Sequence, residues 1–177
     1  SYHTCAVLDN KSVQCWGRNN YGQLGNGETT SAQDNTSIPA TLVETQDVKD
    51  VDAKGISTCA VLDNKSVQCW GRNEYGQLGN GITGGSSSIP VIVSGISNAT
   101  KITNGYRHAC VILDNKSVQC WGRNNQGQLG DGTFVDRNVP TAVTGVKNVV
   151  EIAPGYRHSC ALLDNATVQC WGQNNQG

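Results

Sequence analysis

The chain has 177 residues, with 21 Gly, 8 Cys, no Met, 15% charged residues and a net charge of −1. That balance offers no basic footprint for a nucleic acid and no polybasic patch for a membrane surface, and no apolar run approaches the roughly 20 residues of a spanning helix. With no initiator Met and no leader segment, the sequence reads as a processed protein or a window from a longer one.

The first predicted elements flank Asp9-Asn10-Lys11, three turn formers. Cys-Ala-Val-Leu precedes them and Ser-Val-Gln-Cys-Trp follows, which predicts two strands in a hairpin. If the three turn residues are the loop, partner numbers sum to 20, so Cys5 faces Cys15 and Val7 faces Val13. Ala6, Leu8, Gln14 and Trp16 then share the opposite face. Both faces carry apolar residues, as in a strand covered on both sides. A Gly-Gln-Leu-Gly turn follows at Gly22, then a polar stretch, Glu28–Ile38, containing Thr29, Thr30, Gln33 and Asp34. Pro-Ala-Thr-Leu-Val from Pro39 and Val-Lys-Asp-Val-Asp-Ala from Val48 predict two further short strands.

The pattern then restarts at Cys59, Cys110 and Cys160, giving periods of 54, 51 and 50 residues. The step between the two cysteines of a repeat is always 10, and that from Pro39, Pro90 or Pro140 to the next first cysteine is always 20. Only the stretch from second Cys to Pro varies, at 24, 21 and 20 residues, which marks Glu28–Ile38, Ile82–Ile89 and Thr133–Val139 as loops. Helix signals are nearly absent. The expected fold is all-β: propeller blades of four antiparallel strands, about three and a half in this chain, as one partial propeller over 1–177. The repeats divide as about 1–54, 55–105 and 106–154, with a partial fourth over 155–177.

Gly-Tyr-Arg-His-Ser-Cys-Ala-Leu-Leu-Asp-Asn-Ala-Thr-Val-Gln-Cys-Trp-Gly, Gly155 to Gly172, together with the Asn-x-x-Gly-Gln-Leu-Gly-x-Gly of Asn19 to Gly27, resembles the repeat of the regulator of chromosome condensation family. The resemblance covers essentially the whole chain and implies blades of a seven-bladed β-propeller around a central shaft. Relatives in that family range from a nuclear nucleotide-exchange factor to a secreted bacterial inhibitor of β-lactamases, so the fold fixes no partner. There are two departures. The family usually places Gly third in the hairpin loop, where φ is positive, but Lys11, Lys65, Lys116 and Ala166 stand there. Nuclear members generally lack the cysteine pair, which secreted bacterial-type relatives often carry.

Directly opposed residues of an antiparallel pair lie close enough for a disulfide. The expected bridges are Cys5–Cys15, Cys59–Cys69, Cys110–Cys120 and Cys160–Cys170, which use all eight cysteines and imply an oxidising compartment. A zinc set of His3, Cys5 and Cys15, with His108 and His158 in the same phase, fails because repeat two carries Ser57 there, and no Cys-x-x-Cys occurs. No metal and no cofactor is expected.

Asn10, Asn64, Asn115 and Asn165 each start an Asn-x-Ser/Thr sequon at a hairpin tip, and Asn35 and Asn98 start two more. They read as candidate glycosylation sites or, more plainly, as turn residues. The three His read as blade-to-blade hydrogen bonds, and Trp16, Trp70, Trp121 and Trp171 as core wedges. No catalytic set stands out, so no enzyme is expected. Repeated residues make the scaffold and variable loops make each blade distinct, which selects Tyr21, Tyr75, Phe134, Asp136 and Arg137 as candidate partner contacts. The expected role is an extracellular or cell-surface (or periplasmic) non-catalytic repeat protein, serving as a protein-binding or surface-structural scaffold. Its partner would be another protein or copies of itself, with neither nucleic acid nor membrane insertion. Open blade edges raise an alternative, a filament subunit completed by strand exchange. A weaker one is a nucleotide-exchange factor for a small GTPase.

Overall fold

A computed structural model of the chain describes residues 2–31, 35–43 and 45–175. Fourteen strands follow one another without a helix among these residues: β1 (His3–Val7), β2 (Val13–Arg18), β3 (Asn35–Thr41), β4 (Val48–Lys54), β5 (Ser57–Leu62), β6 (Val67–Arg72), β7 (Ser86–Ile92), β8 (Ala99–Asn104), β9 (His108–Leu113), β10 (Val118–Gly122), β11 (Arg137–Ala142), β12 (Val149–Pro154), β13 (His158–Leu163) and β14 (Val168–Gly172). They form four antiparallel sheets: β1-β2-β3, β4-β5-β6-β7, β8-β9-β10-β11 and β12-β13-β14. Successive sheets touch chiefly through β1 with β4, β4 and β5 with β8, and β8 and β9 with β12. Strands β4, β8 and β12 are therefore the inner strands of their blades, and β3, β7 and β11 the outer ones. The partial β-propeller expected from the sequence is what the chain forms.

The hairpin register is the one that the turn residues predict: Cys5 opposes Cys15 and Val7 opposes Val13, with the same pairing in the other three repeats. Each tip closes by Leu N–H to Ser or Thr C=O and by the third loop residue's N–H back to that Leu, as Leu8 with Ser12 and Lys11 with Leu8. Asn10 Oδ1 also accepts from Ser12 N and Oγ, at 3.1 and 2.7 Å. The closing residue of such a three-residue loop must be left-handed, and Lys11, Lys65, Lys116 and Ala166 adopt φ of 62°, 64°, 61° and 63° where the family uses Gly.

Two features differ from the sequence expectation. The loop bounds were too wide: Glu28–Ile38, Ile82–Ile89 and Thr133–Val139 each end inside an outer strand, since β3, β7 and β11 begin at Asn35, Ser86 and Arg137. Their prolines fail to start the strands because an outer edge strand has no further neighbour needing the missing N–H. Residues 32–34 of the first loop, Gln33 and Asp34 among them, lie outside the described residues. The sheets also cut the chain in another phase than the repeats: each inner strand, the last of its repeat, pairs with the following hairpin.

The core lies between sheets. One cluster fills each of the three joints: Val13, Leu24, Val48 and Trp70; then Val67, Leu78, Ile102 and Trp121; then Val118, Leu129, Ile152 and Ala161 among others. Trp70 and Trp121 are fully buried, whereas Trp16 and Trp171, in the first and last sheets, are only half-buried. Each tryptophan packs against the preceding blade, so Trp16 has no described surface to enter. A Cβ on Gly79 would meet the Trp121 indole at 2.7 Å, which is why Gly-Gln-Leu-Gly ends on Gly.

Candidate functional site

The repeat presents three settings where side chains do more than pack: the joints between blades, the rim of hairpin tips and the opposite rim of loops.

In each joint a backbone carbonyl collects donors from the next blade. The Gln23 carbonyl accepts Trp70 Nε1 at 2.9 Å and Thr58 Oγ1 at 2.7 Å. The Gln128 carbonyl accepts Trp171 Nε1 at 3.0 Å and Ser159 Oγ at 2.9 Å. Having given their protons to those carbonyls, the two hydroxyls accept from histidines of the preceding blade: His3 Nε2 donates to Thr58 at 2.7 Å and His108 Nε2 to Ser159 at 2.9 Å. Burial holds His3 at a pKa of about 4 and His108 at about 3, the latter with help from Lys54 and His158. Both imidazoles are therefore neutral at pH 7, and a buried neutral ring with its donor engaged is a structural part. The joint between the second and third sheets lacks the relay altogether. Ser57 stands in the His position, and Ala109 stands where the hydroxyl would be. There Trp121 Nε1 alone reaches the Gln77 carbonyl, at 3.0 Å.

The hairpin rim carries five of the six sequons, and Asn35, opposite Arg18 at the far end of β2, stands on the loop rim. Asn10, Asn64, Asn115 and Asn165 are exposed, each accepting from the Ser or Thr two residues on. Asn35 is exposed at the start of β3. Asn98 differs: it is half-buried and its amide donates to Asp114 Oδ1 at 3.0 Å. The left-handed lysines reach across the joints to the next blade's turn aspartate, Lys11 to Asp63, Lys65 to Asp114 at 3.5 Å and Lys116 to Asp164 at 3.2 Å. Ala166 ends that ladder.

The loop rim collects strand ends of the opposite polarity, with the candidate contacts and the variable loops. Two of the candidate partner contacts are Tyr21 and Tyr75. They are half-buried, and a guanidinium lies over each, Arg72 over Tyr21 and Arg107 and Arg123 over Tyr75. Phe134 stays exposed, at 72%. Asp136 Oδ1 accepts the Asn124 backbone N–H at 2.6 Å, and Arg137 Nε donates to Asp131 at 2.8 Å. These two side chains brace the third loop internally, leaving Phe134 as its presented group. Among the described residues no three His, Cys, Asp or Glu side chains gather to hold a metal, and no helix is long and apolar enough to cross a membrane. All eight cysteines are paired as expected, one bridge in each hairpin.

Repeated four-stranded blades, joined by a Trp wedge and stapled hairpins, define a β-propeller of homologous repeats. The chain matches the Regulator of chromosome condensation (RCC1) repeat over residues 66–112 and 117–162 and, by a second description of that repeat, over 1–23, 48–77, 99–128 and 149–177. It belongs to that family. It is 31% identical over 139 residues to the ultraviolet-B receptor UVR8 of Arabidopsis thaliana, covering 77% of this chain and 31% of that one. Among solved structures, human WBSCR16 superposes with a TM-score of 0.84 at 25% identity, over 98% of this chain and 46% of that one. Yeast RCC1 (Prp20), solved bound to Kap60, gives a TM-score of 0.82 at 19% identity, over 97% and 42%. The chain thus spans less than half the length of each of these proteins.

Proposed function

We propose that the chain is part of an extracellular, non-catalytic propeller that serves as a protein-binding or surface-structural scaffold. The observation that carries this is the set of four bridges: every hairpin is closed by a disulfide and no described cysteine is free, an economy suited to an oxidising compartment. The loop rim supports binding, since its loops differ from blade to blade and one presents Phe134. That yeast RCC1 is solved with Kap60 is in keeping with a protein partner, and exposed Asn10, Asn64, Asn115 and Asn165 are in keeping with glycans on the other rim. The reading is tested on protein recovered from its native compartment under thiol-blocking conditions. No cysteine should react with maleimide before reduction; eight reactive thiols would overturn the extracellular placement. A nucleotide-release assay with a small GTPase tests the exchange-factor alternative, and no acceleration is expected.

A second reading, completion by strand addition, is favoured by the open edge of β14. In the complete sheets, Gly22 and Gly76 lie under the outer strand of the next blade, with Ser88 and Asn138 Cα at 2.4 and 2.6 Å from where a Cβ would be. Gly27 and Gly81 donate to the carbonyls of the same two residues, both at 2.9 Å. The equivalent place beside β14 is a cavity of about 550 Å³ whose lining includes Gly127, Gly132, Phe134 and Trp171. An outer strand from more of the same chain or from a neighbouring copy fits there. Light scattering tests assembly, and a discrete monomer would end the filament version.

A further inference from the structure

All five tyrosines of the chain lie under arginine guanidiniums on the loop rim. Arg18 covers Tyr2 at 5.4 Å and Arg72 covers Tyr21 at 4.7 Å. From the third blade onward the contacts are continuous. Arg123 lies over Tyr75 at 4.7 Å, and Arg107 is shared between Tyr75 at 5.0 Å and Tyr106 at 5.5 Å. Tyr106 stacks on Tyr156 at 4.5 Å, and Arg157 covers Tyr156 at 5.3 Å.

The charges of this ladder are unanswered. Arg72 pairs with Glu74, but among the described residues Arg18, Arg107, Arg123 and Arg157 have no carboxylate within ion-pair distance. The Nε atoms of those four are buried without a hydrogen-bond partner. Arg107 makes one side-chain bond, Nη1 to Tyr75 Oη at 2.7 Å. Beside the ladder, exposed Lys54 gives its ammonium to the Pro154 carbonyl at 2.7 Å and, with Gly55, Tyr106, Gly155 and Tyr156, lines a cavity of about 170 Å³. On the hairpin rim Lys11, Lys65 and Lys116 are each answered by an aspartate. Among the described residues seven cations have no carboxylate within ion-pair distance, and five of them, Arg18, Lys54, Arg107, Arg123 and Arg157, stand on the loop rim, whereas Lys49 and Lys147 lie toward the hairpin tips.

Stacking on a ring occupies the face of a guanidinium and, with Nε buried, leaves the terminal Nη groups as the donors a carboxylate can meet. The rings also hold the arginines in place before anything binds, which lowers the ordering cost of binding. We propose that this arginine–tyrosine ladder is the docking surface for an acidic segment of a partner protein, whose Asp and Glu side chains bridge the edges of Arg123, Arg107 and Arg157. A short acidic segment feels the local field of the rim, whereas a long nucleic acid would also meet the remaining, net acidic surface.

The proposal rests on the protein-binding reading above, and its test is independent of that reading's thiol experiment. A fluorescent oligoglutamate peptide is titrated against the 177-residue chain, with thermal unfolding followed for every variant. Saturable binding is expected, weakening at least about tenfold between roughly 0.02 and 0.2 M salt. Arg107→Gln with Arg157→Gln should weaken it by about tenfold, two exposed charge pairs being worth that much together. Lys65→Gln on the hairpin rim should leave it unchanged. Should Arg107→Gln unfold the chain, Arg157→Gln with Arg123→Gln replaces that pair. Equal losses from Lys65→Gln and the arginine pair would overturn the assignment, as would tighter binding of an oligothymidylate than of the oligoglutamate.

Discussion

At the scale of single residues, the hydroxyls of Thr58 and Ser159 decide the joints. Each is buried, gives its proton to a carbonyl of the preceding blade and takes one from that blade's histidine. Replacing Thr58 with Val keeps the shape and strands the His3 donor, so urea unfolding should show a loss of about 1–3 kcal/mol. Thr58→Ser should recover most of it, and equal losses for the two variants would refute the relay. The histidines were legible in the sequence because they recur in phase with the cysteines. Their partners were not: Thr58, Ala109 and Ser159 vary, and a small residue beside a cysteine signals nothing until the next blade is brought against it.

At the scale of the hairpin and the blade, the sequence was informative wherever contacts are local. Turn residues and alternation set the register of β1 with β2, and with it the disulfides, because the partners are 10 residues apart. A hairpin bridge that closes so short a loop stabilises by about 2–3 kcal/mol on the chain-entropy model. Cys59→Ala with Cys69→Ala should therefore lower the melting temperature by roughly 5–10 °C, and an unchanged melting temperature would show the bridge to be idle. What the sequence hid is what spans a blade. The assignment of β4 to β5 rather than to β3 depends on the return of the chain to the inside of the arc. The charge ladder joins residues 52, 49 and 48 apart, Lys11 with Asp63, Lys65 with Asp114 and Lys116 with Asp164. Tyr21 and Tyr75 stood out in the sequence as candidate contacts, but their stacking with arginines appears only when adjacent blades are brought together.

At the scale of the whole molecule, two neutral histidines make stability depend on pH. In the folded chain His3 and His108 titrate near 4 and 3, against 6.5 when exposed, so the unfolded chain binds more protons below pH 6.5. The stabilisation is fully present above that pH and is lost as pH falls toward the folded values. At pH 5 the loss should be about 2 kcal/mol per imidazole relative to pH 7. His108→Asn should remove about half of the difference in urea midpoint between those two pH values, and an unaltered difference would exclude His108 as its source.

The joints also carry information about order. A blade that ends a joint with His needs a hydroxyl from its successor, and the blade carrying Ser57 is followed by the one carrying Ala109. If repeats were duplicated or shuffled, a His blade placed before the Ala109 blade would leave its imidazole donor without that partner. The matched pair works as a parity check on the sequence of blades. Repeats whose surfaces look interchangeable are therefore constrained in their succession by buried groups, the Ala109 blade having its place only after the Ser57 blade.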